Sequence, residues 1–306
     1  MGPTASGKTE LALRLSDTLP VDIISVDSAL VYRGMDIGTA KPDEETLRRY
    51  PHRLLDIREP EDSYSAGDFV RDATAAITDI QDAGRVPLLV GGTMMYFRAL
   101  TRGMARLPPA DPRIREAIDA EAASDGWPAL HRKLAAVDTT AAARISANDS
   151  QRIQRALEVY QTSGRTITEW HRIGQPEGVR ERFLKFGLIP RIRDVLHERI
   201  EQRLSTMLRN GFLDEVRRLR GRPGLSARSP SMRAVGYRQL WSHLDGECEL
   251  DTAVARALAA TRQLAKRQLT WLRSESGLYA LDPLEPAAIA TIVSTVEVQT
   301  GRETNQ

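Results

Sequence analysis

The feature that most constrains this chain is a glycine-rich loop at residues 2–9. It reads Gly2-Pro3-Thr4-Ala5-Ser6-Gly7-Lys8-Thr9 and matches the pattern G-x-x-x-x-G-K-[ST] in full. Such a loop turns successive backbone N–H groups and a helix N-terminus toward phosphate oxygens. Lys8 supplies a cation, and Thr9 supplies a hydroxyl that can face magnesium. A chance glycine turn is the alternative, but the amphipathic segment and the apolar strand that follow favour a phosphate-binding loop.

The segments after the loop alternate between strand and helix patterns. Apolar runs predict strands at 21–26, 54–57 and 86–90, and a helical stretch covers about 66–83. Strands that alternate with helices are typical of a parallel sheet. We therefore predict an α/β fold, a P-loop NTPase-like parallel sheet flanked by helices. Its ligands should lie at the carboxyl ends of the strands, where Asp27 and Thr93 fall.

The pattern changes at residue 107, and helical periods without a strand-like run continue to about residue 181. We predict a first core part at 1–106, an all-helical insertion domain at 107–181, and a second core part at 182–306. Within the last part we expect strands at 182–189 and 278–281, long helices around 192–207 and 251–273, and a final helix after Pro286.

A strand normally leads into a phosphate-binding loop, yet only Met1 precedes Gly2 here. Two explanations stay open: the true start lies upstream, or this chain is a fragment or a mis-started product. Without the strand, we expect an unfilled position at the centre of the sheet and a loosely anchored loop. A chain that begins at Met1 is therefore expected to be poorly stable or inactive.

Composition excludes several classes of protein. The single cysteine, Cys248, can form neither an intrachain disulfide nor a cysteine-based zinc site. No apolar run approaches the roughly 18 residues of a membrane-spanning helix, and no leader pattern is present. We expect a cytoplasmic protein without membrane attachment.

Charge is distributed unevenly along the chain. Residues 143–273 contain 25 Lys and Arg against 14 Asp and Glu, a net charge of +11, whereas the remainder has a net charge of −9. This asymmetry indicates either a surface that meets a polyanion or a set of solvated Arg/Glu helix faces.

A phosphate-binding loop alone does not identify a reaction, since kinases, ATPases and GTPases share it. Their usual second marker is an apolar strand that ends in a magnesium-binding Asp, but here the strand at 86–90 ends in Gly91-Gly92-Thr93. The predicted strand-end aspartate is Asp27 instead. It could cap the next helix, bind magnesium or accept a proton from a nucleophile.

Longer blocks of the sequence resemble the tRNA dimethylallyltransferases, the bacterial tRNA isopentenyltransferase family. Besides the loop, the blocks are ISVDSALVYRGMDIGTAKP at 24–42, PHRLLD at 51–56, LVGGTMMY at 89–96, NDSQRIQRALE at 148–158, VGYRQ at 235–239 and TRQLAKRQLTWLR at 261–273. The similarity runs from residue 1 to about 285 and is far more specific than the loop alone. The departure from the family is the absent strand before Gly2.

The resemblance implies transfer of a dimethylallyl group from dimethylallyl diphosphate to N6 of the adenosine at tRNA position 37, just 3′ of the anticodon. The tRNAs would read codons that begin with U, and the products would be N6-(dimethylallyl)adenosine and diphosphate. Residues 2–9 and Arg203 would bind the diphosphate, with Mg²⁺ as cofactor at Thr9 and with Lys8 neutralising charge. Asp27 would accept the N6 proton, and Thr93 would place the adenine. We expect a monomer that binds the tRNA anticodon stem-loop.

The resemblance also implies a tRNA-facing surface, because the adenine must leave its stack to reach the site. The implied contacts are Asp27, Ser28, Ala29, Leu30 and Thr93 near the loop; Arg115 in the insertion; Gln151, Arg152, Ile153, Gln154 and Arg155; Arg233, Ala234, Val235, Gly236, Tyr237 and Arg238; and Lys266, Arg267, Gln268, Leu269, Thr270, Trp271, Leu272 and Arg273. Two alternatives stay open. Arg199 and Arg203 could form surface ion pairs with Glu198 or Glu201, and Trp271 could pack in the core.

Three rival functions stay open as well. An adenylate isopentenyltransferase would prenylate a free nucleotide, but a small acceptor needs neither the insertion nor the basic second half. A P-loop small-molecule kinase or NTPase is disfavoured by Gly-Gly-Thr in place of a strand-end Asp. A non-catalytic RNA-binding protein is disfavoured because Lys8, Thr9 and Asp27 are all present.

Overall fold

A computed structural model describes residues 1–105, 107–174, 183–285 and 287–300, with side chains described to residue 298. Met1–Leu100 and the described residues from 183 onward form one compact unit, called the core unit here. The described residues from Thr101 to 174 form a second unit, called the insertion. The predicted boundaries at 106/107 and 181/182 adjoin residues outside the described ranges, so the division into 1–106, 107–181 and 182–306 stays a prediction.

The first part of the core unit alternates between helices and strands as the sequence pattern predicts. Its elements are α1 (Lys8–Thr18), β1 (Val21–Val26), α2 (Glu44–Arg49), β2 (His52–Arg53), α3 (Ala66–Asp82), β3 (Val86–Gly91) and α4 (Met94–Arg102). The polar helix α2 has no apolar periodicity and was not predicted. A capping box of Ser65 and Asp68 fixes the start of α3.

The insertion contains helices and no strand among its described residues. The helices are α5 (Pro112–Asp125), α6 (Trp127–Val137), α7 (Thr139–Ala142), α8 (Ser150–Ser163) and α9 (Ile167–Ile173). Ile118, Leu130, Leu134, Ile153 and Leu157 form its buried core. The insertion therefore has a hydrophobic core of its own.

The second part of the core unit returns to strands and long helices. Its elements are β4 (Lys185–Leu188), α10 (Arg193–Arg209), α11 (Phe212–Arg220), α12 (Tyr237–Leu244), α13 (Leu250–Ser274), β5 (Leu278–Leu281) and α14 (Ala288–Thr300). The predicted strand at 278–281 matches β5, whereas Arg182, at the start of the predicted strand 182–189, lies outside the described residues. No described helix is long and apolar enough to cross a membrane.

All strand pairs are parallel, which confirms the predicted α/β class. The order β2-β1-β3 forms one sheet, and β4 pairs with β5 separately. The register between β1 and β3 runs from Val21 opposite Val86 to Val26 opposite Gly91. The carboxyl ends of β1 and β3 are therefore adjacent, and the residues that follow them meet at one edge of the sheet.

The predicted strand at 54–57 is wrong. The observed strand β2 ends at Arg53, because Leu54 and Asp56 have φ values of 65° and 52°, outside the extended region. The chain turns there, and the N–H of Ile57 donates to the carbonyl of Val31 at 2.9 Å. An apolar run thus has the composition of a strand but the conformation of a turn.

Met1 pairs with β4. Its amino group donates to the carbonyl of Phe186 at 2.7 Å, and the N–H of Leu188 donates to the carbonyl of Met1 at 2.8 Å. Among the described residues β3 has β1 as its strand partner and none on its other side. The strand expected to lead into the loop stays a prediction.

Candidate active site

The phosphate-binding loop forms a compact turn at the start of α1. Ala5 and Gly7 have φ values of 60° and 82°, in the left-handed region that reverses the chain direction locally. The ammonium group of Lys8 donates to the carbonyl of Pro3 at 2.5 Å. A Cβ atom at Gly2 would lie 2.7 Å from Ser6 Oγ, so the turn leaves no room for a side chain there.

Three charged groups influence one another at this loop. Burial and the neighbouring Arg203 lower the pKa of Lys8 to about 8, and Asp27 acts in the opposite direction. Burial also lowers the pKa of Arg203, again opposed by Asp27. The fold therefore brings together a lysine, an arginine and an aspartate that are far apart in sequence.

Asp27 follows β1 and lies in a turn that uses only one of its carboxylate oxygens. Its Oδ1 accepts hydrogen bonds from the N–H groups of Ala29 at 2.8 Å and Leu30 at 3.3 Å. Its Oδ2 has no hydrogen-bond partner among the described residues. The helix-capping interpretation is therefore wrong, because the next helix, α2, begins only at Glu44 and Asp27 instead stabilises a turn. The role of Asp27 as a proton acceptor stays a prediction.

Thr93 lies beside this turn because β1 and β3 end together. Its Oγ1 accepts a hydrogen bond from the N–H of Ser28 at 3.1 Å. A Cβ atom at Gly91 would lie 2.0 Å from the carbonyl oxygen of Val26. The end of β3 therefore admits no aspartate at position 91, which explains the departure from the strand-end Asp of kinases and NTPases.

Gln268 on α13 connects the phosphate-binding loop to the turn after β3. Its Oε1 accepts from the N–H of Thr4 at 2.9 Å, and its Nε2 donates to the carbonyl of Gly92 at 2.8 Å. The side chain is buried. The resemblance implied a tRNA contact at Gln268, whereas in this structure both ends of its amide bind the loops of the site.

Arg203 on α10 donates from Nη2 to the carbonyl of Thr39 at 3.1 Å. No carboxylate pairs with Arg199 or Arg203 among the described residues, and Glu201 pairs with Arg262 instead. The surface ion-pair interpretation is therefore wrong in this structure. Within the described ranges, therefore, no carboxylate forms an ion pair with the guanidinium of Arg203.

The basic residues of the core unit that were assigned to tRNA are all exposed. Five cations have exposed side chains without an ion-pair partner in the described part of the chain: Arg233, Arg238, Lys266, Arg267 and Arg273. Lys266 and Arg267 line a groove of about 370 Å³ on α13, together with Trp271. The guanidinium carbon of Arg98 lies 5.6 Å from the ring centroid of Trp271, which is 37% exposed rather than packed in the core.

Other residues of the same blocks point inward. Tyr237 is fully buried and donates its hydroxyl to Glu215 at 2.6 Å, so its side chain has no exposed surface for tRNA. Gly236, Leu269 and Leu272 are buried, while Ala234 and Val235 are half-buried and Thr270 is exposed. A contiguous block on a helix presents only part of its residues to a ligand.

The implied tRNA contacts of the insertion include paired and buried residues. Glu158 is fully buried, and it accepts hydrogen bonds from Arg115 at 2.8 Å and from Arg155 at 2.7 Å. Ile153 belongs to the hydrophobic core. The polar residues are more accessible: Gln154 donates to Asp119, Arg152 pairs with Asp149, and Gln151 is exposed.

The donor set around the loop fits a magnesium ion that binds mainly to a diphosphate. The described residues contain no group of three His, Cys, Asp or Glu side chains that could bind a metal without substrate. Mg²⁺ often uses few protein ligands and completes its shell with phosphate oxygens and water. The exposed hydroxyl of Thr9, next to Lys8, suits that arrangement.

Fold and site together define a class, an α/β phosphate-loop protein in which a carboxylate after the neighbouring strand lies beside the loop. Comparison with known proteins narrows the class. The IPP transferase family matches residues 30–275. The full-length tRNA isopentenylpyrophosphate transferase of Bacillus halodurans has 37% identity and a TM-score of 0.68, covering 98% of this chain and 94% of its own. This chain belongs to the IPP transferase family.

Two further solved structures agree. The tRNA delta(2)-isopentenylpyrophosphate transferase of Staphylococcus epidermidis has 31% identity and a TM-score of 0.68, covering 99% of this chain and 97% of its own. A eukaryotic dimethylallyltransferase acting on tRNA has 23% identity and a TM-score of 0.79, covering 100% of this chain and 79% of its own. At that identity the likeness supports the fold.

Proposed function

We propose that this chain transfers a dimethylallyl group from dimethylallyl diphosphate to N6 of the adenosine at tRNA position 37. Membership of the IPP transferase family and the likeness to bacterial tRNA isopentenylpyrophosphate transferases support tRNA prenylation. The observation that carries the proposal is that Asp27 acts electrostatically on both Lys8 and Arg203, which supports a carboxylate proton acceptor close to two cations that would bind the diphosphate.

In the proposed reaction the N6 nitrogen attacks the allylic carbon as the bond from that carbon to the diphosphate oxygen breaks. Lys8 and Arg203 stabilise the negative charge that develops on the leaving diphosphate. The N6 proton passes to Oδ2 of Asp27, while Oδ1 stays in its turn. Thr93 is proposed to place the adenine opposite this carboxylate.

Magnesium is proposed as the cofactor. Thr9 would hold it together with oxygens of the diphosphate, and the bound ion would neutralise part of the charge on the leaving group. The acceptor is proposed to be the anticodon stem-loop, in tRNAs that read codons beginning with U, and the enzyme to act as a monomer. The exposed cations on α13 would contact its backbone.

A single-turnover assay tests this proposal. The chain is incubated with magnesium, radiolabelled dimethylallyl diphosphate and an anticodon stem-loop with adenosine just 3′ of the anticodon. A loop with guanosine at that position and free AMP are the controls. Label in the adenosine loop alone is expected. Label in AMP would indicate an adenylate isopentenyltransferase. In a separate incubation with ATP and without RNA, ATP turnover would indicate a kinase or NTPase.

A further inference from the structure

A second carboxylate in the core unit has an unusual set of partners. Glu215 on α11 is 1% exposed. Its Oε2 accepts from the N–H groups of Asp36 at 3.0 Å and Ile37 at 2.7 Å. Its Oε1 accepts from the N–H of Gly38 at 3.1 Å and the hydroxyl of Tyr237 at 2.6 Å. Four donors therefore converge on one buried carboxylate.

These bonds fix the loop at residues 36–39 in one place. A Cβ atom at Gly38 would lie 2.0 Å from Phe212 Cε2 and 2.7 Å from Tyr237 Cε2, so the loop packs directly against α11 and α12. Burial and the Glu215 carboxylate hold the pKa of Tyr237 well above its usual value, so its hydroxyl stays a donor. No arginine or lysine pairs with Glu215 in the part of the chain that the structure describes.

The same loop ends at Thr39, whose backbone carbonyl accepts a hydrogen bond from Arg203. The carbonyl of Thr39 accepts from Arg203 Nη2 at 3.1 Å, one residue after the last N–H bound by Glu215. A guanidinium is a fixed planar fork of donors, so the position of one bound acceptor constrains where its other N–H groups point.

We propose that Glu215 is a positioning residue for Arg203. By binding the backbone of residues 36–38, it fixes the Thr39 carbonyl, and that carbonyl orients the guanidinium of Arg203 for a diphosphate. This inference rests on the proposed function, in which Arg203 binds the diphosphate of the substrate.

A double-mutant cycle on Glu215→Gln and Arg203→Ala tests the inference, read out as the Kd for inorganic diphosphate with magnesium. The Gln amide replaces one acceptor oxygen by an NH₂ group that faces N–H donors, so the loop should shift. We expect each single variant to weaken binding about tenfold, corresponding to about 1.4 kcal/mol. The double variant should bind no more weakly than Arg203→Ala alone, because Glu215 acts through Arg203.

Two further variants separate positioning from general loss of structure. Tyr237→Phe removes one donor and no backbone bond, so it should weaken diphosphate binding about threefold and lower the midpoint of unfolding, because the buried Glu215 carboxylate loses a partner. Glu158→Gln removes an equally buried carboxylate from the insertion and should leave the Kd for diphosphate unchanged. Stem-loop binding is measured in parallel and should not change in Glu215→Gln.

The outcomes distinguish the inference from the function on which it rests. Additive losses in the cycle, or an unchanged Kd in both Glu215→Gln and Tyr237→Phe, would overturn the inference. An unchanged Kd in Arg203→Ala would also overturn it, while transfer of label to the stem-loop by the same preparation would keep the proposed function. A wild-type chain that transfers no label would contradict the function itself.

Discussion

The core unit and the insertion each contain a fully buried glutamate, and the two glutamates have opposite partners. Glu158 in the insertion binds the guanidinium groups of Arg115 and Arg155. Glu215 in the core unit binds three backbone N–H groups and a phenol. In the insertion, two cations thus pair with the buried carboxylate, whereas in the core unit neutral donors satisfy the buried carboxylate. Among the described residues Arg203 has no carboxylate partner.

This difference separates two kinds of basic residue that look alike in the sequence. Arg115 uses Nε and Nη2 for Glu158, yet its side chain is 43% exposed, so a guanidinium N–H remains for a phosphate. Its proposed tRNA contact therefore stays a prediction, with a structural role beside it. Lys8 and Arg203 have no such structural ion pair among the described residues, which suits groups that bind a charged ligand.

The largest expected effect is the loss of transfer rate when Asp27 is replaced. Asp27→Asn keeps an oxygen for the N–H groups of Ala29 and Leu30 but cannot accept a proton on the other atom. Single-turnover transfer should fall by about 10²- to 10⁴-fold, the range for loss of a general base. The affinity for the stem-loop should not change. Transfer at the wild-type rate would remove Asp27 as the proton acceptor.

The next effect concerns the stability of the insertion. Glu158→Gln leaves Arg115 and Arg155 without their anionic partner and should lower the free energy of unfolding by about 3 kcal/mol. Hydrogen exchange in α5 and α8 measures this locally. An unchanged exchange rate would show that the paired arginines contribute nothing to the insertion.

The pH dependence of this stability has a defined sign. Burial would raise the pKa of Glu158, but the hydrogen bonds from Arg115 and Arg155 outweigh burial and hold the pKa below its usual value. The contribution of ionised Glu158 to the free energy of unfolding is therefore fully present above the usual pKa of about 4.3. It is lost as the pH falls through the lowered pKa of the folded protein. Glu158→Gln should lack this acid-dependent loss.

Much of the fold follows from local patterns. Val21–Val26 and Leu278–Leu281 are apolar runs, and both match the observed strands. The run at 54–57 has the same composition but adopts a turn, because Leu54 and Asp56 take positive φ values and Ile57 bonds to Val31. That choice depends on a partner segment distant in sequence, which no local pattern reveals.

In the candidate site, too, some residues follow from the sequence and others do not. The glycine motif and the paired strand ends predict Lys8, Asp27 and Thr93 from the sequence. Gln268 and Glu215 bind backbone groups 264 and 179 residues away, and backbone partners carry no sequence signature. One signal exists: each is a polar residue at an inward helical position, among apolar residues such as Leu269 and Leu272 or Phe212 and Val216.

A smaller effect is expected in the pH dependence of dimethylallyl diphosphate binding, compared between the wild-type protein with Lys8 and the variant Lys8→Arg. Because the pKa of Lys8 is about 8, the ligand-free lysine loses its proton as pH rises above that value. The affinity for dimethylallyl diphosphate should then fall, approaching a factor of about ten per pH unit. Lys8→Arg keeps its charge in this range and should lose the lysine-dependent part of the decline. The same pH profile in both proteins would contradict the role of Lys8.

The smallest effect compares cations on one helix. Lys266→Ala and Arg267→Ala each remove an exposed charge without an ion-pair partner among the described residues, so each should weaken stem-loop binding about threefold. Each should also reduce the slope of log K against log salt by about 0.7 to 0.9, as expected for one lost phosphate contact. Arg262→Ala is the matched control on α13, because Arg262 already pairs with Glu201. Equal slopes in all three variants would show that pairing does not decide which cations of this helix meet the RNA.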